Sequence, residues 1–147
     1  MFPSDTDFNG IKIDTSNEQQ SKIGRSFVFD FKTGQHQIID GKIVESDQLQ
    51  AIKQWLELLV RTTVDKYQIY KDTGFGTTWE QYVGHRNLPL GFVVSEMERE
   101  ISEAAVKLNP AIASVQDFEA ERTTRGLTVS FAAVLKDAQV LGVSVNV

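Results

Sequence analysis

From Ser26 onward the chain alternates apolar and polar positions, and the period of that alternation marks out the elements. In Ser26-Phe27-Val28-Phe29-Asp30-Phe31 the phenylalanines recur two apart. That spacing puts Phe27, Phe29 and Phe31 on one face of a strand and Val28 and Asp30 on the other. Lys32 to Gln35 reads as a turn, Gln37-Ile38-Ile39 as a second strand, Asp40-Gly41 as a primed turn and Lys42 to Glu45 as the end of a three-stranded meander. Ser46-Asp47 then predicts a helix start, with the serine accepting backbone N–H groups and the aspartate in the positive first turn. Leu49, Ile52, Leu56, Leu59 and Val60 recur at three- and four-residue intervals, so this helix runs to about Thr62. The β-branched run Thr62-Thr63-Val64 ends it. Tyr67 and Ile69, with Tyr70 opposite, predict a brief strand.

Beyond the glycine-bearing loop Lys71 to Gly76, Thr77 and Glu80 stand three apart as a capping box for a short helix holding Trp79, Tyr82 and Val83, and Gly84 stops it. Pro89 suits the first turn of the next helix. Val93, Met97, Ile101, Ala104, Ala105 and Leu108 form one stripe of that helix, and Asn109-Pro110 terminates it. Residues 112–122 read as a strand, Thr123 to Gly126 as a turn, and Leu127, Val129, Phe131, Ala133 and Leu135 alternate cleanly along the next strand. Val143, Val145 and Val147 mark a last one. The predicted fold is α+β: two principal helices packed on antiparallel β-sheet, with strands at both ends of the chain. Phe29, Leu56, Met97, Ile101 and Phe131 are the expected core. Residues 1–25 hold only Ile11, Ile13 and Ile23 as apolar marks beyond their first turns, too little surface to offset ordering entropy, and read as an arm. Residues 26–147 read as a single domain.

Composition narrows the chemistry. The 147 residues carry 15 Lys plus Arg against 20 Asp plus Glu, a net charge of −5, which argues against a phosphate-wrapping nucleic-acid binder. No cysteine is present, so disulfides, thiol nucleophiles and Cys-ligated metals are excluded. Neither His36 nor His85 belongs to a ligand-spaced cluster, and no metal or cofactor is expected. MFPSDTDFNG carries two acids and no apolar run, so a secretory peptide is not expected, and no apolar stretch is long enough to span a membrane.

The candidate catalytic groups each have a plainer role. Asp72-Thr73-Gly74 matches the short signature of aspartic proteases, with Val140-Leu141-Gly142 downstream, as in a homodimeric enzyme whose paired carboxylates share a proton. Lys71 replaces the usual apolar residue before the aspartate, and two helical stretches do not fit a nearly all-β protease; Asp72 and Gly74 otherwise serve a turn. Glu96, Glu98, Glu100 and Glu103 share a helix with Arg99 and Lys107, and Glu103 to Lys107 has the favourable i, i+4 order, so these acids read as a solvated helix face rather than a glycosidase pair. Gly74-Phe75-Gly76 lacks the Lys-Ser/Thr of a phosphate loop. Strands at both ends, by contrast, offer unpaired N–H and C=O groups that another chain can satisfy, which tilts the reading toward an assembly component.

The order of residues carries a more specific signal. Phe29-Asp30-Phe31 with Gly34, the Ala51 to Trp55 segment, Lys66-Tyr67-Gln68-Ile69-Tyr70 followed by Gly76, the Glu96 to Glu103 helix, and Asn109-Pro110 before Val115 and Phe118 together resemble the XkdS-like family of phage and prophage tail proteins. That family is related to the baseplate wedge subunit that starts the sheath of contractile-tailed phages, and the resemblance spans about residues 26–136. It implies a non-enzymatic virion protein that binds other baseplate wedge and hub proteins and tail sheath subunits, in several copies around a ring. It implies no role on nucleic acid or membrane. Related sheath-initiating subunits carry a Glu-Pro-Arg-type motif after the first long helix. The corresponding stretch here, Thr63 to Tyr70, lacks it, and Asp65, Lys66, Tyr67 and Tyr70 are the partner-binding residues expected in its place.

Overall fold

The computed structural model describes residues 26–147; the arm expected over 1–25 lies outside the described residues. Seven strands and three helices follow in the order β1 (Phe29–Asp30), β2 (Gln35–His36), β3 (Ile38–Ile39), β4 (Lys42–Ile43), α1 (Gln48–Arg61), α2 (Trp79–Gly84), α3 (Leu90–Leu108), β5 (Ile112–Arg122), β6 (Leu127–Leu135) and β7 (Val140–Asn146). The fold is α+β, with strands at both ends, as the pattern predicts. β5, β6 and β7 form one antiparallel sheet in that order. On β6 every second residue is buried, Leu127, Val129, Phe131, Ala133 and Leu135, so one face of the sheet is the core face. α3 packs on that face toward β5 and α1 toward β7.

The two principal helices bury the predicted stripes. α1 contributes Ala51, Ile52, Leu56, Leu59 and Val60, and α3 contributes Val93, Met97, Ile101 and Ala105. Leu49 departs from expectation and is exposed, because it lies in the first turn of α1, short of the sheet. At the start of α1 the cap is Asp47, whose Oδ1 accepts from Gln50 N at 2.7 Å. Ser46 Oγ, expected to fill that role, is instead buried with no hydrogen-bond partner among the described residues.

The N-terminal meander is two hairpins instead of three strands. β1 pairs with β2 and β3 with β4, and the returning chain closes an antiparallel bridge from Glu45 to Phe27. Asp40 and Gly41 have φ of 50° and 74°, the primed turn that joins β3 to β4. Phe29 is a correction to the expected core. It is half-buried, its ring set edge-on to Phe31 and His36 at 5.0 and 5.1 Å, because the hairpins lie on the outside of α1 and not under the sheet. One side chain ties them there. Gln54 Nε2 donates to Phe27 O at 3.0 Å and its Oε1 accepts from Phe29 N at 2.8 Å, so the amide stands in for a neighbouring strand. Arg61 adds a cation over the Phe31 ring at 5.2 Å. Gln54→Ala should therefore release the hairpins: amide exchange across residues 28–44 should speed up while global stability falls by only about 1 kcal/mol. Unchanged exchange there would show that Gln54 does not hold them.

Candidate assembly interface

Two features of the fold remain open to a partner. The first is the segment after α1. Thr62 caps the helix, its Oγ1 donating to Leu58 O at 2.6 Å, and the chain turns into a short parallel bridge between Thr63 and Thr77. Between these threonines the predicted strand does not form. Gln68–Tyr70 is a single 3-10 turn, because Asp65 and Asp72 on either side both take positive φ, 56° and 60°, and curl the backbone. Asp65 Oδ1 accepts from Asp72 N at 3.0 Å and locks the two ends of that curl together. The Asp72-Thr73-Gly74 triplet is thus a braced, exposed turn.

Of the four residues expected to bind a partner, the structure divides the roles. Asp65 faces inward to its own loop. Tyr70 is half-buried with its ring 4.6 Å from Phe75, which in turn meets Trp55 at 5.6 Å. Lys66 is ion-paired with Glu80. That hydrogen bond raises the lysine and, with a smaller contribution from the Thr63 hydroxyl, holds the Glu80 carboxyl below its ordinary range. Tyr67 alone points outward, and beside it Ile69 is 78% exposed, the most exposed large apolar side chain among the described residues. Period-two reasoning set Ile69 beside Tyr67 on one side of a brief strand; that strand does not form, and the exposure of Ile69 was not read from the sequence.

α2 follows at once, and its start is also a correction. Thr77 makes no capping box, since its Oγ1 is committed to Val60 O at 3.1 Å in the core. Glu100 of α3 supplies the acceptor instead, taking Thr78 N at 2.9 Å and Thr78 Oγ1 at 2.6 Å. Tyr82 donates to the same carboxylate at 3.2 Å; desolvation, then the glutamate's charge, pushes its hydroxyl above the usual phenol range. Beside Glu100 on the same face of α3, Glu103 pairs with Arg99 at 3.3 Å and not with Lys107, because Glu96 already holds the Arg99 guanidinium there at 2.9 Å.

The second open feature is the sheet edge. β5 and β7 each have one neighbour among the described residues. They are not equivalent. β5 shifts register twice, between Ile112 and Ser114 and between Gln116 and Glu119, with Asp117 at φ 52°, and it carries Glu119, Glu121 and Arg122. Bulges and charges of this kind blunt an edge against further pairing. β7 runs in unbroken register against β6 and has no charge and no proline. Leu127 and Val147 exchange both main-chain bonds at 2.8 Å, which fixes the phase of the ladder. Residues 141, 143 and 145 therefore bond inward to β6, and Gly142, Ser144 and Asn146 aim N–H and C=O outward.

Among the described residues no group of His, Asp or Glu is set to hold a metal ion, and no helix is long and apolar enough to cross a membrane. The molecule is a small α+β protein with a regular strand edge that has no neighbour among the described residues and an exposed aromatic-aliphatic knob, the make-up of an assembly subunit. A family model of contractile injection system sheath initiators matches residues 25–138, and the chain belongs to that family. The match agrees with the resemblance carried by the sequence motifs, and it places the protein among structural components of contractile tails. No curated protein matches the sequence.

Proposed function

We propose that the protein is a structural subunit of a phage or phage-tail-like baseplate wedge, present in several copies around the tail hub, and that it starts the sheath by adding a sheath strand to the open edge of β7. The observation that carries this reading is the contrast between the two sheet edges: β5 is bulged and charged, and β7 is regular and neutral. Main-chain pairing suits a joint between a fixed plate and a moving sheath, because several parallel bonds share the load whatever the side chains. Tyr67 and Ile69 form the complementary contact to another wedge protein, held in place by Asp65, Tyr70 and the Lys66–Glu80 pair. Residues 26–147 work as one domain in this role.

Ser144→Pro tests the edge. Its N–H faces outward, so proline there removes a donor from the open edge and leaves the β6–β7 ladder intact. Purified protein should keep its fold and enter the baseplate, while baseplates carrying it should nucleate no sheath from added sheath subunits. Normal sheath growth on such baseplates would refute strand addition at β7.

A further inference from the structure

Five arginines lie among the described residues. Arg61 pairs with Glu57, and Arg99 with Glu96 and Glu103. The remaining three, Arg86, Arg122 and Arg125, converge on one cavity of about 300 Å³ between the α2–α3 connector and the β5–β6 turn, closed on its apolar side by Tyr82, Val83 and Leu127. Among the described residues no Asp or Glu lines it. Arg122 donates to the carbonyls of Arg86, at 3.2 Å, and Leu88; Arg86 donates to Thr124 O at 3.0 Å. Carbonyl acceptors orient a guanidinium without neutralising it. Arg125 has neither hydrogen bond nor ion pair among the described residues. Three like charges thus face one hollow in a chain whose net charge is −5.

We propose that this cavity docks a carboxylate side chain from an acidic segment of a neighbouring protein. Guanidinium groups held at fixed angles match the planar, two-oxygen acceptor of Asp or Glu, and the apolar floor takes the methylene stem. A nucleic-acid backbone is disfavoured because its phosphates bring no methylene stem to the floor formed by Tyr82, Val83 and Leu127. The proposal rests on the assembly reading only for the presence of a protein neighbour, and it is independent of strand addition at β7.

The test uses the full chain and fluorescein-labelled hexaglutamate, followed by anisotropy at low ionic strength, with inorganic phosphate as the competing anion. Arg86 and Arg122 brace their loops, so the informative position is Arg125, which braces nothing. Arg125→Gln should raise the Kd for hexaglutamate about threefold to fivefold, the scale of one exposed ion pair, and Arg125→Glu should raise it further. Arg61→Gln, away from the cavity, should leave it unchanged. Equal binding by wild type and Arg125→Gln would overturn the proposal, as would no binding of hexaglutamate at all. Displacement of the peptide by equimolar phosphate would overturn the choice of a carboxylate ligand. Because the assay contains no sheath or baseplate, its failure leaves the β7 reading standing, and failure of Ser144→Pro leaves this one.

Discussion

Gly76→Ala should be among the most destabilising single substitutions in the chain, by about 3 kcal/mol or more. Gly76 has φ of 124°, a region that side chains rarely occupy and that costs on the order of 1 to 3 kcal/mol for a non-glycine residue. A Cβ there would also stand 2.8 Å from both Thr62 O and Val64 N, and these are backbone atoms that cannot swing aside. Their positions are set by the parallel bridge: Thr77 N donates to Thr62 O at 2.8 Å, and Val64 N to Thr77 O at 3.1 Å. Relieving the clash means breaking one of those bonds, worth about 1 kcal/mol each. Urea denaturation measures the sum. Gly74→Ala is the control, since its φ of 75° carries strain but nothing lies within 4 Å of the added carbon, and it should cost only about 1 kcal/mol. Equal losses at the two glycines would mean that the bridge does not confine Gly76.

Leu56→Ala should cost about 2 to 5 kcal/mol, the range for a large buried aliphatic side chain whose surroundings cannot collapse. Leu56 is fully buried at the centre of α1, one turn from Ile52 and Val60, in the same cluster as Met97 and Ile101 of α3 and Val143 and Val145 of β7. The cavity left behind would therefore touch both helices and the sheet, leaving no single element free to move in. Leu49→Ala on the same helix should be nearly neutral because Leu49 is exposed. A neutral Leu56→Ala in chemical denaturation would mean that the buried face of α1 is wrongly placed.

How much of this was legible in the sequence depended on the range of the interaction. α1, α3 and β6 were readable because burial on one face imposes a period of 3.6 or 2 on adjacent residues, and the alternation from Leu127 to Leu135 is the plainest case. The turn at Asp40-Gly41 was readable from its own two residues. What escaped is governed by partners far along the chain. Thr78 is capped by Glu100, 22 residues away, and the hairpins are held by Gln54, 25 and 27 residues from its partners. The curl at Gln68–Tyr70 depends on two aspartates in left-handed conformations, which no hydrophobic period reports. For the candidate site, the resemblance singled out the stretch Thr63 to Tyr70 but not the arrangement within it: Asp65 and Tyr70 shape the loop, Lys66 is paired, and Tyr67 with the unforeseen Ile69 faces outward. Terminal strands hinted at open edges, and only the register and the bulges distinguished the guarded edge from the open one.

Strand addition at β7 has a signature that alternates along the strand. Hydrogen exchange should be measured on the protein alone and again on baseplates bearing the first ring of sheath subunits. Residues 141, 143 and 145 bond to β6 and should be protected in both states, whereas the outward amides of Gly142, Ser144 and Asn146 should exchange quickly in the free protein and become protected once sheath is bound. Unchanged fast exchange at those three amides in the sheath-bound state would contradict the account.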